Sequence, residues 1–408
     1  MFLLLSSGSN AHGQLGVGSV EDAYTFQPCS FAGQIRDSSV IHVATGANHT
    51  LILLEFGDGG RELWGCGDGR KGQLGMGYKQ CGMSTSFKKV QLSLVDAGLG
   101  DYTFKFIEAT WETSYAVLCS EGRPDIVISF GSDDYGDLGV GGGSSNSEKD
   151  FHFVQFDHLL PSGIRQIQAI STGQRHVVVQ LRSDSSSLLV GWGLSRHGQL
   201  GSPAGTSFSS IPRPISFDSD DRLVDKPLSY ALGIHHTIVH HHSDKIIGLG
   251  SDRKGQLQVV RRCSANHADV QSAHSTWNGS YIVVANQGKW EIWSSGSNSR
   301  SQLGWTPNED DVVGVVKFPD HVDRQKSSVS VACGSEHVLA LVSHSDRLTE
   351  VWGWGWNEHG NLGIGHTEDI PSPVTIWPRK DAVGISNVCG VWAGSGTSWI
   401  CTETEDDV

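Results

Sequence analysis

Basic residues are in short supply: 30 lysines and arginines stand against 44 aspartates and glutamates, a formal charge of −14. That balance excludes a general nucleic-acid binder, whose cationic face must displace counterions from phosphate, although a local basic patch stays open. Long apolar runs are missing too. No stretch approaches the roughly 20 residues of a membrane-spanning helix. The opening MFLLLSSGSN has neither the basic flank nor the apolar length of a secretory leader. The eight cysteines (Cys29, Cys66, Cys81, Cys119, Cys263, Cys333, Cys389 and Cys401) contain no C-x-x-C pair. They read as reduced, mostly buried thiols of an intracellular chain, without zinc or disulfides. Sequons at Asn48 and Asn278 then carry no weight, because such a chain does not meet the glycosylation machinery. Catalytic signatures are absent as well: there is no P-loop, no G-x-S-x-G elbow and no H-E-x-x-H. No carboxylate pair stands out as an acid–base couple. The expectation is a chain that binds rather than catalyses, without cofactor or metal.

Glycine, by contrast, is abundant, with 51 residues spread along the chain rather than clustered. Spread glycine marks many tight turns. Seven of these turns are copies of one loop: GSNAHGQLG (8–16), GDGRKGQLG (67–75), GSDDYGDLG (131–139), GLSRHGQLG (193–201), GSDRKGQLQ (250–258), GSNSRSQLG (296–304) and GWNEHGNLG (355–363). Their starts differ by 59, 64, 62, 57, 46 and 59 residues. A period this regular signals a repeat fold. A second element falls between the loops, from ATGANHTLIL (44–53) to WAGSGTSWIC (392–401), also seven times. Each copy joins a small-residue strand to an apolar, β-branched one, and the run before each glycine loop is apolar as well. Short strands at even spacing without helical periodicity predict an all-β chain.

Each unit of about 58 residues holds roughly four strands, and one such sheet cannot bury both its faces alone. Seven arranged radially can, so the predicted fold is a single seven-bladed β-propeller over 1–402, with 403–408 as an acidic tail. The chain starts on a late strand and ends on early ones. The last blade is therefore expected to combine about 386–402 with 1–30, closed by pairing of the N-terminal and C-terminal strands.

Repeats act as internal controls for the tryptophans. Trp352 shares its column with Leu5, Trp64, Ile128, Val190, Ile247 and Trp293, all apolar, and reads as core. Trp354 reads as core by the same test. Trp356 stands where sister loops mostly place small polar residues and is expected to be exposed, as interface aromatics are. Trp111 and Trp277 align with a column otherwise filled by glycine (46, 173, 233, 334 and 394) and are expected at the channel mouth. The candidate partner-binding residues are Trp356, Glu358, His359, Trp111, Glu112 and Trp277. His49, His176, His236 and His337 share one column, with Ser114, Ser280 and Thr397 in the other units. A polar group repeated in this way reads as structural hydrogen bonding. His240, His241 and His242 mark an exposed turn.

Seven units carrying G-x-N-x-x-G-Q-L-G and C-G-x-x-H resemble the regulator-of-chromosome-condensation repeat family. Within it, ELWGCGDGRKGQL, ATWETSYAV, VACGSEHVLAL, VWGWGWNEHGNLG and GSGTSWI are similar to the fungal alpha-tubulin-suppressor (killer-toxin-insensitivity) proteins. This chain is longer, with extra residues at 141–150 and 202–226. The narrower resemblance implies a heterodimer with the small CSL-type zinc-finger protein of diphthamide synthesis. It implies support of Elongator-dependent wobble-uridine modification of tRNA, in the cytoplasm or nucleus. The broader family leaves guanine-nucleotide exchange on a small GTPase as the alternative.

Overall fold

The computed structural model describes residues 2–141, 150–159, 165–183, 187–201, 207–216, 229–241, 245–308, 311–345, 348–378 and 387–403. The insertions at 141–150 and 202–226, His242 and the acidic tail lie wholly or largely outside the described residues. The fold is a seven-bladed β-propeller, nearly all β. Two compact units share the seven sheets: His12–Val20 with Ser30–Pro227, and Met1–Ala11 with Glu21–Cys29 and Leu228–Val408. The first unit holds blade one (Ser38–Thr45, His49–Phe56, Arg61–Asp68, Met83–Lys89), blade two (Thr103–Ala109, Thr113–Cys119, Ile126–Gly131, His152–Val154) and blade three (Gln166–Thr172, His176–Arg182, Ser187–Leu194, Phe208–Pro214). The second holds blade four (Ser229–Leu232, His236–His241, Lys245–Gly250), blade five (Asp269–Ser275, Gly279–Asn286, Lys289–Gly296, Gly314–Val315) and blade six (Ser327–Cys333, His337–His344, Thr349–Gly355, Ile370–Trp377). Its blade seven joins Val388–Ala393 and Thr397–Glu403 to Phe2–Gly8 and Ala23–Pro28. The closing register runs antiparallel from Phe2 opposite Glu403 to Gly8 opposite Thr397, as the phase of the repeat predicts.

The glycine loop has a definite job. Its leucine is buried in all seven copies: Leu15, Leu74, Leu138, Leu200, Leu257, Leu303 and Leu362. The preceding glutamine turns its Oε1 back to accept the amide of the residue two before it. His12 donates to Gln14 at 2.9 Å, Lys71 to Gln73 at 2.9 Å, Lys254 to Gln256 at 2.8 Å and Arg300 to Gln302 at 2.8 Å. The backbone carbonyl of that glutamine position faces the next blade, which must supply a donor because the site is dry. The donors differ, but the acceptor does not: Cys66 Sγ and Thr50 Oγ1 reach Gln14, Trp192 Nε1 reaches Asp137 at 2.9 Å, Trp354 Nε1 reaches Gln302 at 3.0 Å and Ser7 Oγ reaches Asn361 at 3.1 Å. Trp354 is thus a core residue whose indole N–H caps a neighbouring loop.

The histidines work at the turn between the first two strands of a blade. His49 Nε2 lies 3.0 Å from Ser114 Oγ of the next blade, and Ser114 Oγ donates onward to the Gln73 carbonyl at 2.6 Å. The serine proton is therefore spent, and His49 must carry its own hydrogen on Nε2. His236 meets Ser280 at 3.1 Å and His337 meets Ser398 at 3.0 Å in the same way. Each imidazole lies against the glycine three residues earlier. A Cβ on Gly46, Gly233 or Gly334 would stand 2.1–2.2 Å from the ring's Cε1. Glycine and histidine are thus a matched pair.

This corrects the alignment. In blades two and five the residues that close the turn, by donating to the carbonyl three positions on, are Thr110 and Thr276, the counterparts of Gly46. Trp111 and Trp277 are one step further along, level with Ala47, Gln174, Ile234 and Ser335. The histidine column continues as Thr113, Gly279 and Thr397, while Ser114, Ser280 and Ser398 are its partners. Both exceptional blades lack the histidine and have a buried tyrosine instead. Tyr115 and Tyr281 each donate at 2.6 Å to a loop carbonyl, of Asp137 and Gln302.

Blade four departs again. Its loop ends in Gln258 where the other six end in glycine, and those glycines have φ between 64° and 82°. Glutamine resists that left-handed conformation, and the chain instead enters the helix Gln258–Ala265. Val259, Val260 and Cys263 bury its inner face, and Ser264 Oγ donates to the Ile246 carbonyl. Among the described residues no helix is long and apolar enough to cross a membrane.

Two outcomes test this scaffold. Burial lowers His49, His236 and His337 from 6.5 to about 4. Between those pH values the unfolded chain binds protons that the folded chain refuses. Stability therefore falls on acidification, by up to about 1.4 kcal/mol per pH unit for each histidine. Asp137, raised by burial to about 7, acts in the opposite direction below that pH, and Asp133 and Glu336 are raised as well; the three imidazoles, joined by His274 lowered by burial to about 4, outweigh them. The melting temperature should drop from pH 7 to pH 5; a flat profile would contradict neutral buried histidines. Separately, Gly46→Ala places a Cβ against His49 and 2.7 Å from the Thr110 carbonyl oxygen. It should cost about 1–3 kcal/mol in urea denaturation.

Candidate partner-binding site

Trp356, Glu358 and His359 come together in the loop of blade six. Trp356 Nε1 donates to Glu358 Oε2 at 3.1 Å, and its ring meets the His359 ring edge-on at 5.4 Å. The indole is half-buried rather than fully exposed, because Gly396 lies beneath it and leaves it room. Glu358 is exposed.

This loop is stitched to its neighbours on both sides. Asn357 N–H is held by Asp369 Oδ1 at 2.9 Å, and Asn10 N–H by Asp22 Oδ1 at 2.8 Å. The two pairs are equivalent, each separated by twelve residues in the sequence. Each aspartate then has a second oxygen that faces the preceding loop. Asp22 Oδ2 takes His359 Nδ1 at 2.8 Å. Asp369 Oδ2 stands 3.9 Å from Arg300 of blade five, whose other nitrogen reaches Glu358 at 3.2 Å. Glu336 adds a half-buried carboxyl whose pKa is raised by burial and by Asp369, with Arg300 pulling it back. One arginine and one histidine therefore face four carboxylates: Asp22, Glu336, Glu358 and Asp369.

Trp277 lies in the same unit, half-buried, in the first turn of blade five, where its amide donates to the Ser335 carbonyl at 2.8 Å. Trp111 and Glu112 lie in the other unit, both half-buried. Around Trp111 the structure adds two residues that sequence reasoning missed. Arg175 places its guanidinium 4.7 Å from the Tyr135 ring centre and 6.0 Å from that of Trp111. Asp134 and Asp137 flank it at 3.7 and 3.8 Å. A signal was present for Arg300: the position before the loop's central glycine reads His12, Lys71, Tyr135, His197, Lys254, Arg300 and His359. His359 thus conforms to a basic column, whereas Trp356 and Glu358 depart from theirs. Among the described residues no group of His, Cys, Asp and Glu could hold a metal ion. The arrangement offers aromatic surface, charge and hydrogen-bonding groups on stiff loops.

Models of the regulator of chromosome condensation (RCC1) repeat match residues 3–53 and 350–398, and a second such model matches 329–361. The chain is a seven-bladed β-propeller that carries RCC1-type repeats over those residues. An RCC1 repeat-containing protein of Schizosaccharomyces pombe is 25% identical over 98% of this chain and 99% of its own length. The secretion-regulating guanine nucleotide exchange factor of Mus musculus is 23% identical over 95% of this chain and 82% of its own. Among solved structures, Prp20p from Saccharomyces cerevisiae, described with its binding to Gsp1p and histones, superposes with a TM-score of 0.74 at 18% identity. That match covers 100% of this chain and 92% of that one. Human WBSCR16 gives 0.73 at 20% identity, covering both chains fully. At these identities the solved structures show the fold alone.

The two tryptophans of blade six should behave oppositely. Trp354→Ala removes a fully buried indole and its capping bond, at about 3–5 kcal/mol. Trp356→Ala should cost well under half of that. Urea denaturation of both variants checks the contrast.

Proposed function

We propose that this RCC1-repeat propeller is a non-enzymatic adaptor whose blade-six loop docks a small CSL-type zinc-finger protein. The heterodimer would support diphthamide formation and Elongator-dependent wobble-uridine modification. The observation that carries the reading is the Trp356–Glu358 pair, which breaks the repeat's own pattern while Arg300 holds Glu358 and Asp22 holds the adjoining His359. Positions that serve the fold obey the columns; these two do not. The surplus of carboxylates there suits a partner that brings a cationic side chain to the tryptophan. The narrower choice of partner rests on the resemblance of the motifs to the killer-toxin-insensitivity group.

A second reading is favoured by the similarity to the mouse exchange factor: nucleotide exchange on a small GTPase. Titration calorimetry with a purified CSL-type zinc-finger protein, beside a fluorescent nucleotide-release assay with a small GTPase, separates the two. Saturable zinc-finger binding is expected, weakened about thirtyfold by Trp356→Ala, as for a hot-spot tryptophan worth about 2 kcal/mol. Accelerated nucleotide release without zinc-finger binding would replace the first reading by the second. Normal binding by the folded variant would remove Trp356 from the interface.

A further inference from the structure

Three of the eight cysteines are buried, three are intermediate, and Cys81 and Cys389 are exposed, so the thiols are less hidden than composition suggests. Cys389 alone of the exposed pair has another thiol beside it. It sits in the first strand of blade seven, where Val388 pairs with Thr402 and Gly390 with Cys401, so that Cys389 is the extra residue of a β-bulge. A bulge residue is left out of the ladder and its side chain is re-aimed. Here Cys389 Sγ points to Cys401 and approaches its carbonyl oxygen at 3.3 Å.

We infer that Cys389 and Cys401 form an oxidisable dithiol, in which a hydroperoxide attacks at the exposed Cys389 and the buried Cys401 resolves the product into a disulfide across the bulge. The neighbouring Cys401 thiol holds Cys389 below its ordinary value, against burial and Glu403, while Cys389 and burial push Cys401 up. The exposed Cys389 is the thiol that meets the oxidant, and the buried Cys401 is the one placed to resolve it.

The chemistry balances. The Cys389 thiolate attacks the outer peroxide oxygen, and the O–O bond breaks. The peroxide accepts two electrons and a proton and leaves as the alcohol, or as water from hydrogen peroxide. Cys389 becomes a sulfenic acid. The Cys401 sulfur then attacks the Cys389 sulfur, the S–O bond breaks, and hydroxide leaves with the Cys401 proton as water. Because the two residues are cross-strand neighbours, this second step does not require Cys401 to reach solvent. The product ties the first two strands of blade seven together, and Cys401 lies opposite Leu4 of the closing strand. A cross-strand disulfide with one sulfur at the surface is open to reduction there.

The test uses the full chain treated with hydrogen peroxide, quenched with a maleimide, and read by intact mass and peptide mapping. The expected product is two hydrogens lighter and contains a linked Cys389–Cys401 peptide, reversible by dithiothreitol. Before oxidation, Cys389 should react with the maleimide roughly tenfold faster than Cys81, which has no neighbouring thiol. Cys389→Ser should abolish the mass loss. Cys401→Ser should halt at a Cys389 sulfenic acid that dimedone traps. Recovery of both residues as maleimide adducts after peroxide would overturn the proposal. So would oxidation that maps to Cys81 or Cys29, or a Cys389 that reacts no faster than Cys81.

Discussion

One kind of acceptor recurs through this molecule: the backbone carbonyl at the glutamine position of the glycine loop, seen at Gln14, Gln73, Asp137, Gln302 and Asn361. It is buried and must be met by a donor, which the next blade supplies at all five positions and a tyrosine of the same blade joins at two. The donors are a threonine and a cysteine at Gln14, a tryptophan at Gln302, and a serine at Asn361. Those side chains share no chemistry beyond a hydrogen to give. The loop is therefore conserved within the repeat while its partners drift. It also explains why the loop's own glutamine bonds backward to its backbone: the side chain holds the carbonyl in position for its neighbour.

A loop fixed at its base in this way can vary at its tip. Blade six uses that freedom to place an indole and a carboxylate, and the aspartates that steady the backbones of Asn357 and Asn10 have an oxygen left over for the adjoining loop. The same residues thus set the backbone and set the charge. Arg300 is shared among acids it cannot fully neutralise, so the surface it helps to build remains electronegative. Arg175 in the other unit is treated differently: its guanidinium lies against aromatic rings, with carboxylates just beyond hydrogen-bonding distance.

How much of this was legible beforehand follows from the same physics. The blade count, the closing strands and the core roles of Trp352 and Trp354 came from columns, because burial repeats when structure repeats. The placement of Trp111 and Trp277 did not. Loss of the histidine ring that lies over glycine lets threonine take the turn, and the tryptophan moves one position along. A string alignment that matches the small residues cannot register that exchange, although the presence of Tyr115 and Tyr281 marks it. The helix at Gln258 coincides with the one missing glycine among seven, but Met76–Cys81 is helical after an intact Gly75, so the loop alone does not announce a helix. Trp356 was correctly singled out as unlike its sisters, but its degree of exposure depended on Gly396 of a different blade, which no local reading weighs. Arg175 and Tyr135 belong to different loops, and only the fold brings them together.

The seam of blade seven carries a consequence in time. Leu5 pairs with Ile400, so the Phe2–Gly8 strand, once made, waits for a partner synthesised about 395 residues later (400 − 5). At ordinary elongation rates of about 5–20 residues per second, that interval is about 20–80 s. Throughout it, one edge of the Phe2–Gly8 strand has no partner, and blade seven has only half its strands. Speed of folding in the other blades cannot shorten the wait. The seam delays completion of this sheet until Thr397–Glu403 is made, and it leaves Phe2–Gly8 as the segment most in need of shelter.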